Sequence, residues 1–333
     1  MVRCGVSSRC PIASAQTRFL RCLTVFCLIA AGWLCAPQAT AQAGLQEVRA
    51  GLFITSLSAI DPRDGSFRVA AFAWFADPQG RFDPTRDMEV IARSASVEPF
   101  EKQPLAGGGT YTAVLIDAVV DHGFDVRDYP FDRQTLRFEL ESALPSDQLV
   151  FRPDVSDSRI SADVNSPGWR IGTLSLTSTS RTYETGFGHR PAGASFSRIT
   201  ADIEISRKLS PFVFEKFAGF FVALLITGLV LMVPVAELGT RVGMTTGSIF
   251  AAVFNRYRLE DGIGFDAVFG VVDQVSLLTF SAILSMLLLS LTTHRVQMSR
   301  GVAAAGLLNR RVGAVVLAVH ALLLGLAFAV AMA

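Results

Sequence analysis

The side chains best placed to do chemistry fall in two short runs. One is Tyr129-Pro130-Phe131-Asp132-Arg133-Gln134, where a carboxylate follows two aromatic rings that flank a proline. Pro130 fixes its own φ and biases Tyr129 toward an extended conformation, so the run reads as a rigid turn with Asp132 as a charged tip. The other is Tyr183-Glu184-Thr185-Gly186-Phe187-Gly188-His189, two aromatics and an acid among glycines, inside a hairpin expected over Arg181–Arg198. Aromatic faces beside a carboxylate suit an amine. Tyr183, Glu184 and Phe187 are therefore candidate ligand contacts, with an exposed hairpin carrying incidental aromatics as the plain alternative. Catalysis has no such foothold. His122, His189, His294 and His320 are dispersed, no glycine loop is built to cradle phosphate, and every cysteine precedes residue 36. The expectation is no enzyme, no catalytic residue, no metal and no cofactor.

Strands must hold both runs. Tyr111 to Val120 is rich in β-branched and aromatic residues, and Leu136, Phe138 and Leu140 alternate with Arg137, Glu139 and Glu141, the period of a half-buried strand. Further strands are expected at Leu52-Ile54-Leu57, Phe67–Phe75, Trp169–Ser178 and Ile199–Ile205, with Asp61–Gly65 as a turn. Short strands separated by Gly, Pro and Asp turns predict a β-sandwich, with Trp74 as a core aromatic.

The N-terminus reads as a secretory signal peptide over residues 1–43. Arg3, Arg9, Arg18 and Arg21 precede a 13-residue apolar core, Leu23 to Cys35, and small-residue cleavage sites follow at Ala39-Thr40-Ala41 or Ala41-Gln42-Ala43. That core is short for a membrane anchor. An exported chain without cysteine beyond residue 43 is expected to have no disulfide. From Gly44 to Arg207 there are 23 acids against 17 Lys and Arg, and from Lys208 to Ala333 there are 6 against 9. An acidic exported domain argues against nucleic acid and mildly favours cationic ligands or protons.

After Arg207 the composition turns apolar. Phe217 to Ala236 runs 20 residues without a charge, and strong apolar stretches follow at about 267–291 and 312–333. The connector Thr292–Arg311 holds Arg295, Arg300, Arg310 and Arg311 without an acid, which the positive-inside tendency puts in the cytoplasm. An exported β domain and a cytoplasmic connector require a crossing in between. The one candidate is Val242 to Asn255, continuing to Leu259, a weakly apolar segment holding Gly243, Thr245, Thr246, Gly247, Ser248 and Asn255. Fourteen residues span only about 21 Å, and a helix this polar belongs beside water or inside a bundle. Gly243-xxx-Gly247 is equally a close-packing pair.

The run at Tyr129–Gln134 resembles the signature loop of the pentameric ligand-gated ion channels, the Cys-loop receptor superfamily. There it reads Phe/Tyr-Pro-Phe-Asp-x-Gln after an Asp-hydrophobic pair, here Asp125-Val126. The positions of the bracketing cysteines hold His122 and Leu136, which is similar to the bacterial branch that lacks the loop disulfide. Ala73-Trp74-Phe75-Ala76-Asp77, Ile203-Glu204-Ile205-Ser206-Arg207, Thr240-Arg241-Val242 and Phe269-Gly270-Val271-Val272-Asp273 also resemble family elements.

The resemblance implies a periplasmic β-sandwich ligand-binding domain over 44–207. A four-span channel domain over 208–333 would follow, with spans near 212–236, 242–259, 267–291 and 312–333. It implies a homopentamer in the inner membrane, with lipid, permeant ions and a small-molecule ligand or protons as partners. The 181–198 hairpin would cap the ligand, and Tyr129, Pro130, Phe131, Asp132 and Arg207 would couple binding to gating, Asp132 approaching Arg207. The second span would line the pore through Gly243, Gly247, Phe250, Phe254 and Tyr257, one stripe at a 3.6-residue period. Several departures stand out. Glycines replace the usual hydroxyls, phenylalanine replaces the usual aliphatic gate, and the acid nearest Arg241 is Glu237. No proline lies at Gly219 to Phe221. A non-conducting sensor of the same fold, or an exported binding module with a helical anchor, are the alternatives, and ion selectivity is open.

Overall fold

Alternation of apolar and polar residues drives the first half of the chain into strands, and near-continuous apolar stretches drive the second half into helices. The computed structural model describes residues 44–188, 192–208, 212–263 and 269–332; the leader expected over 1–43, His189 and Ala333 lie outside them. The strands are β1 (Gln46–Asp61), β2 (Ser66–Asp77), β3 (Met88–Ile91), β4 (Ser94–Pro104), β5 (Thr110–Asp121), β6 (Arg133–Pro145), β7 (Leu149–Pro153), β8 (Arg159–Ile160), β9 (Trp169–Thr182) and β10 (Ser195–Arg207). A one-turn helix, α1 (Pro84–Asp87), precedes β3.

The strands form two sheets, one ordered β4-β5-β2-β1-β7 with β8 also on β1, the other β3-β6-β10-β9. Their facing sides supply one core. Leu52, Ile54, Phe67 and Phe75 come from the first sheet, and Leu136, Phe138, Ile199 and Ile203 from the second. Leu136, where the bracketing cysteine would stand, is fully buried here. Trp74 corrects an expectation. Its neighbours Ala73 and Phe75 face the core, so period two turns Trp74 to the outer face. There it packs over Gly51, where a Cβ would collide with the indole, and its Nε1 donates to Asp154 Oδ2 at 3.2 Å. Strands β3, β4, β7 and β8 went unanticipated. β3, β7 and β8 are short, and β4 is an edge strand exposed almost throughout, so it carries no buried-face signal.

Among the described residues four helices follow: α2 (Phe212–Leu229, running into a 3-10 turn at Val230–Met232), α3 (Leu238–Ile263), α4 (Val271–Arg300) and α5 (Val302–Met332). Among the described residues three helical segments are long and apolar enough to cross a membrane, Glu215–Met232, α4 and α5. α3 is not. It runs past both ends of the expected span near 242–259, and its 26 residues reach about 39 Å. Its C-terminal turns carry charges that find partners. Arg256 pairs with Glu260 at 2.8 Å and Asp273 at 2.7 Å, and Arg258 donates to the backbone carbonyls of Glu215 and Lys216 on α2.

Candidate functional site

The loop between β5 and β6 joins the sheets to the helices. Val126 and Tyr129 pack into the apolar cluster of Phe217, Phe220, Leu259 and Val271 from α2, α3 and α4. Phe131 meets Phe328 of α5 edge-on at 6.1 Å. The Val271 N–H donates to the Arg127 carbonyl at 2.8 Å. A Cβ at Gly270 would collide with that carbonyl, so glycine permits the loop to approach the start of α4. Asp273 caps the same helix, its Oδ2 accepting from the Gly270 N–H at 2.9 Å.

Asp132 does not project into solvent as a tip. Its side chain is 1 % exposed and accepts from Arg207 Nε at 2.6 Å, so the expected approach to Arg207 is met, and it also accepts from Gln134 Nε2 at 2.9 Å. The Arg207 guanidinium lies between two rings, 4.2 Å from the centroid of Trp169 and 4.7 Å from that of Tyr129. Burial raises the Tyr129 phenol above its usual range, outweighing the neighbouring Arg207 charge. Sequence reading missed Trp169 as a partner here. β-register puts Trp169 opposite Arg207, a cross-strand relation visible only once β9 and β10 are paired. Gln134, the last residue of the motif, braces the loop by donating to the Asp125 carbonyl at 2.7 Å.

α3 has two unlike faces. Arg241, Thr245, Ser248, Ala252, Asn255 and Leu259 are buried against the other helices. Gly243, Gly247, Phe250, Phe254 and Tyr257 lie on the opposite face, with Phe250, Phe254 and Tyr257 exposed by 70 %, 81 % and 67 %. Its polarity is absorbed locally, because Thr245, Thr246 and Ser248 donate to carbonyls one turn back. Arg241 is fully buried. It donates to Thr293 Oγ1 at 3.3 Å and to Asn309 Oδ1, and so ties α3 to α4 and α5 rather than facing the glycine-phenylalanine stripe. Gly219 of α2 meets the Asn255 side chain so closely that a Cβ would not fit; this contact occupies the stretch where no proline was found.

The β9–β10 connection brings Tyr183 and Phe187 together, edge to face at 5.3 Å. Tyr183 is already engaged: its hydroxyl donates to Glu141 Oε1 at 2.9 Å and accepts from an Arg198 guanidinium N–H at 2.9 Å. Arg198 also pairs with Glu139 at 2.7 Å and with Glu141. Burial, then the Glu141 carboxylate, raises the Tyr183 phenol. Glu184 and Phe187 are exposed. A shallow depression of about 230 Å³ opens beside this cluster, lined by Arg137, Thr179, Arg181, Arg198, Thr200 and Asp202 among others. No family model and no curated protein matches this chain.

Proposed function

We propose that this chain is one subunit of a homopentameric ligand-gated ion channel resembling the bacterial Cys-loop superfamily members, set in the inner membrane with its β-sandwich in the periplasm. The observation that carries the reading is the division of α3. A helix too polar to cross lipid alone buries its polar side within its own subunit and leaves a glycine-phenylalanine stripe uncovered. Five such stripes facing a common axis shield α3 from lipid and form a pathway, narrowest at the rings of Phe250 and Phe254. Ligand or protons acting on the β-sandwiches reach that pathway through the Asp125–Gln134 loop, which touches α2, α3, α4 and α5 at once. In this reading α3 is the fourth crossing, and Tyr183 with Phe187 forms part of the ligand cap.

The aromatic rings also favour a second reading, a sensor of the same fold that does not conduct. Mass measurement of the purified protein in detergent, followed by ion flux from proteoliposomes across pH and amines, tests both. A pentamer with agonist-dependent flux supports the channel, a pentamer silent under every condition supports the sensor, and a monomer refutes both.

A further inference from the structure

The outer face of the last two helices ends in arginines that no acid accompanies. Arg241 fixes the register of the pair, since it reaches Thr293 on α4 and Asn309 on α5 and so sets both residues at one height. Ser281 and His320, 3.0 Å apart, do the same nearer the β-sandwich. The two helices therefore run antiparallel, and Thr293 and Asn309 both face α3. Arg295 and Arg311 each lie two residues further along their own helix, which is about 200° of rotation and about 3 Å of rise. Both are thus turned away from α3, and the opposite helix directions leave about 6 Å between them in height.

Charge and apolar surface meet at this height. Arg295, Arg300, Arg310 and Arg311 are all exposed, and among the described residues none of their guanidinium groups has an ion pair or a hydrogen bond. No Asp or Glu follows Asp273, so neither helix carries an acid near them. Toward the β-sandwich the same faces turn apolar: Leu291, Leu288 and Leu284 precede Arg295 on α4, and Val315, Val319 and Leu322 follow Arg311 on α5, all exposed. Arg295 to Leu284 and Arg311 to Leu322 are eleven residues each, about 16 Å, close to half of the roughly 30 Å hydrocarbon core.

We infer that this face seats an anionic phospholipid of the cytoplasmic leaflet, its phosphate held between Arg295 and Arg311 and its acyl chains on the leucine and valine rows. Guanidinium presents the planar fork from which phosphate oxygens accept two hydrogen bonds at a time. A zwitterionic lipid gains less, because its ammonium group would meet Arg300 and Arg310 with no carboxylate to receive it. A free anion gains less too, because it leaves both apolar rows uncovered. The face points away from α3, so lipid here does not compete with the glycine-phenylalanine stripe on the far side of α3. The inference rests on the membrane-spanning reading of α4 and α5, with their connector in the cytoplasm, and not on conduction.

The test is native mass spectrometry of the full protein in detergent, offered equal amounts of phosphatidylglycerol and phosphatidylcholine. The wild type should retain phosphatidylglycerol in preference, and Arg295→Gln combined with Arg311→Gln should lower that preference about fivefold for each arginine, the factor that about 1 kcal/mol per charge gives. Arg49→Gln, at an exposed arginine of β1, should leave it intact. The wild type should also melt higher in phosphatidylglycerol nanodiscs than in phosphatidylcholine nanodiscs. Equal retention of the two lipids by the wild type, or an unchanged ratio in the double variant, overturns the proposal. Displacement by millimolar glycerol phosphate overturns it as well and assigns the face to a soluble anion. Should the double variant fail to fold, equal melting of the wild type in the two lipids overturns it. Lipid preference without flux would sink the channel and leave this site standing, whereas a protein that stays soluble without detergent would sink the membrane reading and this site together.

Discussion

Breaking the Asp132–Arg207 pair from one side should cost more than any other single change at the loop. Asp132→Ala removes a carboxylate that is 1 % exposed and leaves a guanidinium 9 % exposed without its 2.6 Å acceptor. Loss of one partner of a buried pair costs about 3–5 kcal/mol. The Trp169 and Tyr129 rings remain against the cation and retain part of its stabilisation, about 0.5–2 kcal/mol for such contacts. We therefore expect about 3 kcal/mol, roughly a hundredfold in the unfolding equilibrium. The assay is urea unfolding of the full protein in detergent, followed by tryptophan fluorescence. Trp169 lies on Arg207 and reports the site directly, and a Trp74→Phe background removes the other tryptophan of the β-sandwich. Arg207→Met and the double variant complete a cycle, in which the double loss should fall short of the sum by at least about 1.5 kcal/mol. Additivity within about 0.5 kcal/mol, or a cost for Asp132→Ala below about 1 kcal/mol, would refute the pairing as an energetic link, whatever its geometry.

Three further outcomes follow from the same structure. In the proposed channel, Phe250→Ser turns one ring of the uncovered α3 stripe polar and should raise resting ion leak from proteoliposomes; unchanged leak with a lower pentamer yield would assign Phe250 to packing instead. Gly270→Ala drives a methyl into the Arg127 carbonyl and should lower the melting temperature by several degrees, so an unchanged melting temperature would show that the loop yields at no cost. Burial, and secondarily the Arg137 charge, holds the His122 imidazole below its ordinary value of 6.5. The folded chain thus binds this proton less readily than the unfolded chain, and the stability contributed is complete above about pH 6.5 and lost as pH falls through the lowered folded value. His122→Phe keeps the edge contacts with Phe67 and Phe124 and should shrink the drop in urea midpoint between about pH 7 and 5; a drop as large as that of the wild type would exclude His122 as its source.

Local pattern was enough for whatever depends on near neighbours in the chain. Period two in Arg137–Glu141 and the apolar stretches after Arg207 wrote their strands and helices directly, since burial of one face or of every face leaves its own spacing. Tyr129-Pro130-Phe131-Asp132 was readable as a turn for the same reason. What lay beyond reach was every relation made by chain distant in sequence. Trp74 points outward because the β1–β2 register sets Gly51 beneath it, and Trp169 reaches Arg207 only across the β9–β10 ladder. α3 extends past both ends of the span expected near 242–259, and its polar residues are held by partners that the local pattern does not show. Asn309 and Thr293, more than fifty residues away, take up Arg241, and Asp273 takes up Arg256. Composition declared α3 too polar for lipid; only packing decided which of its faces the bundle covers, because a helix of mixed polarity has no preferred side until neighbours supply partners for one of them.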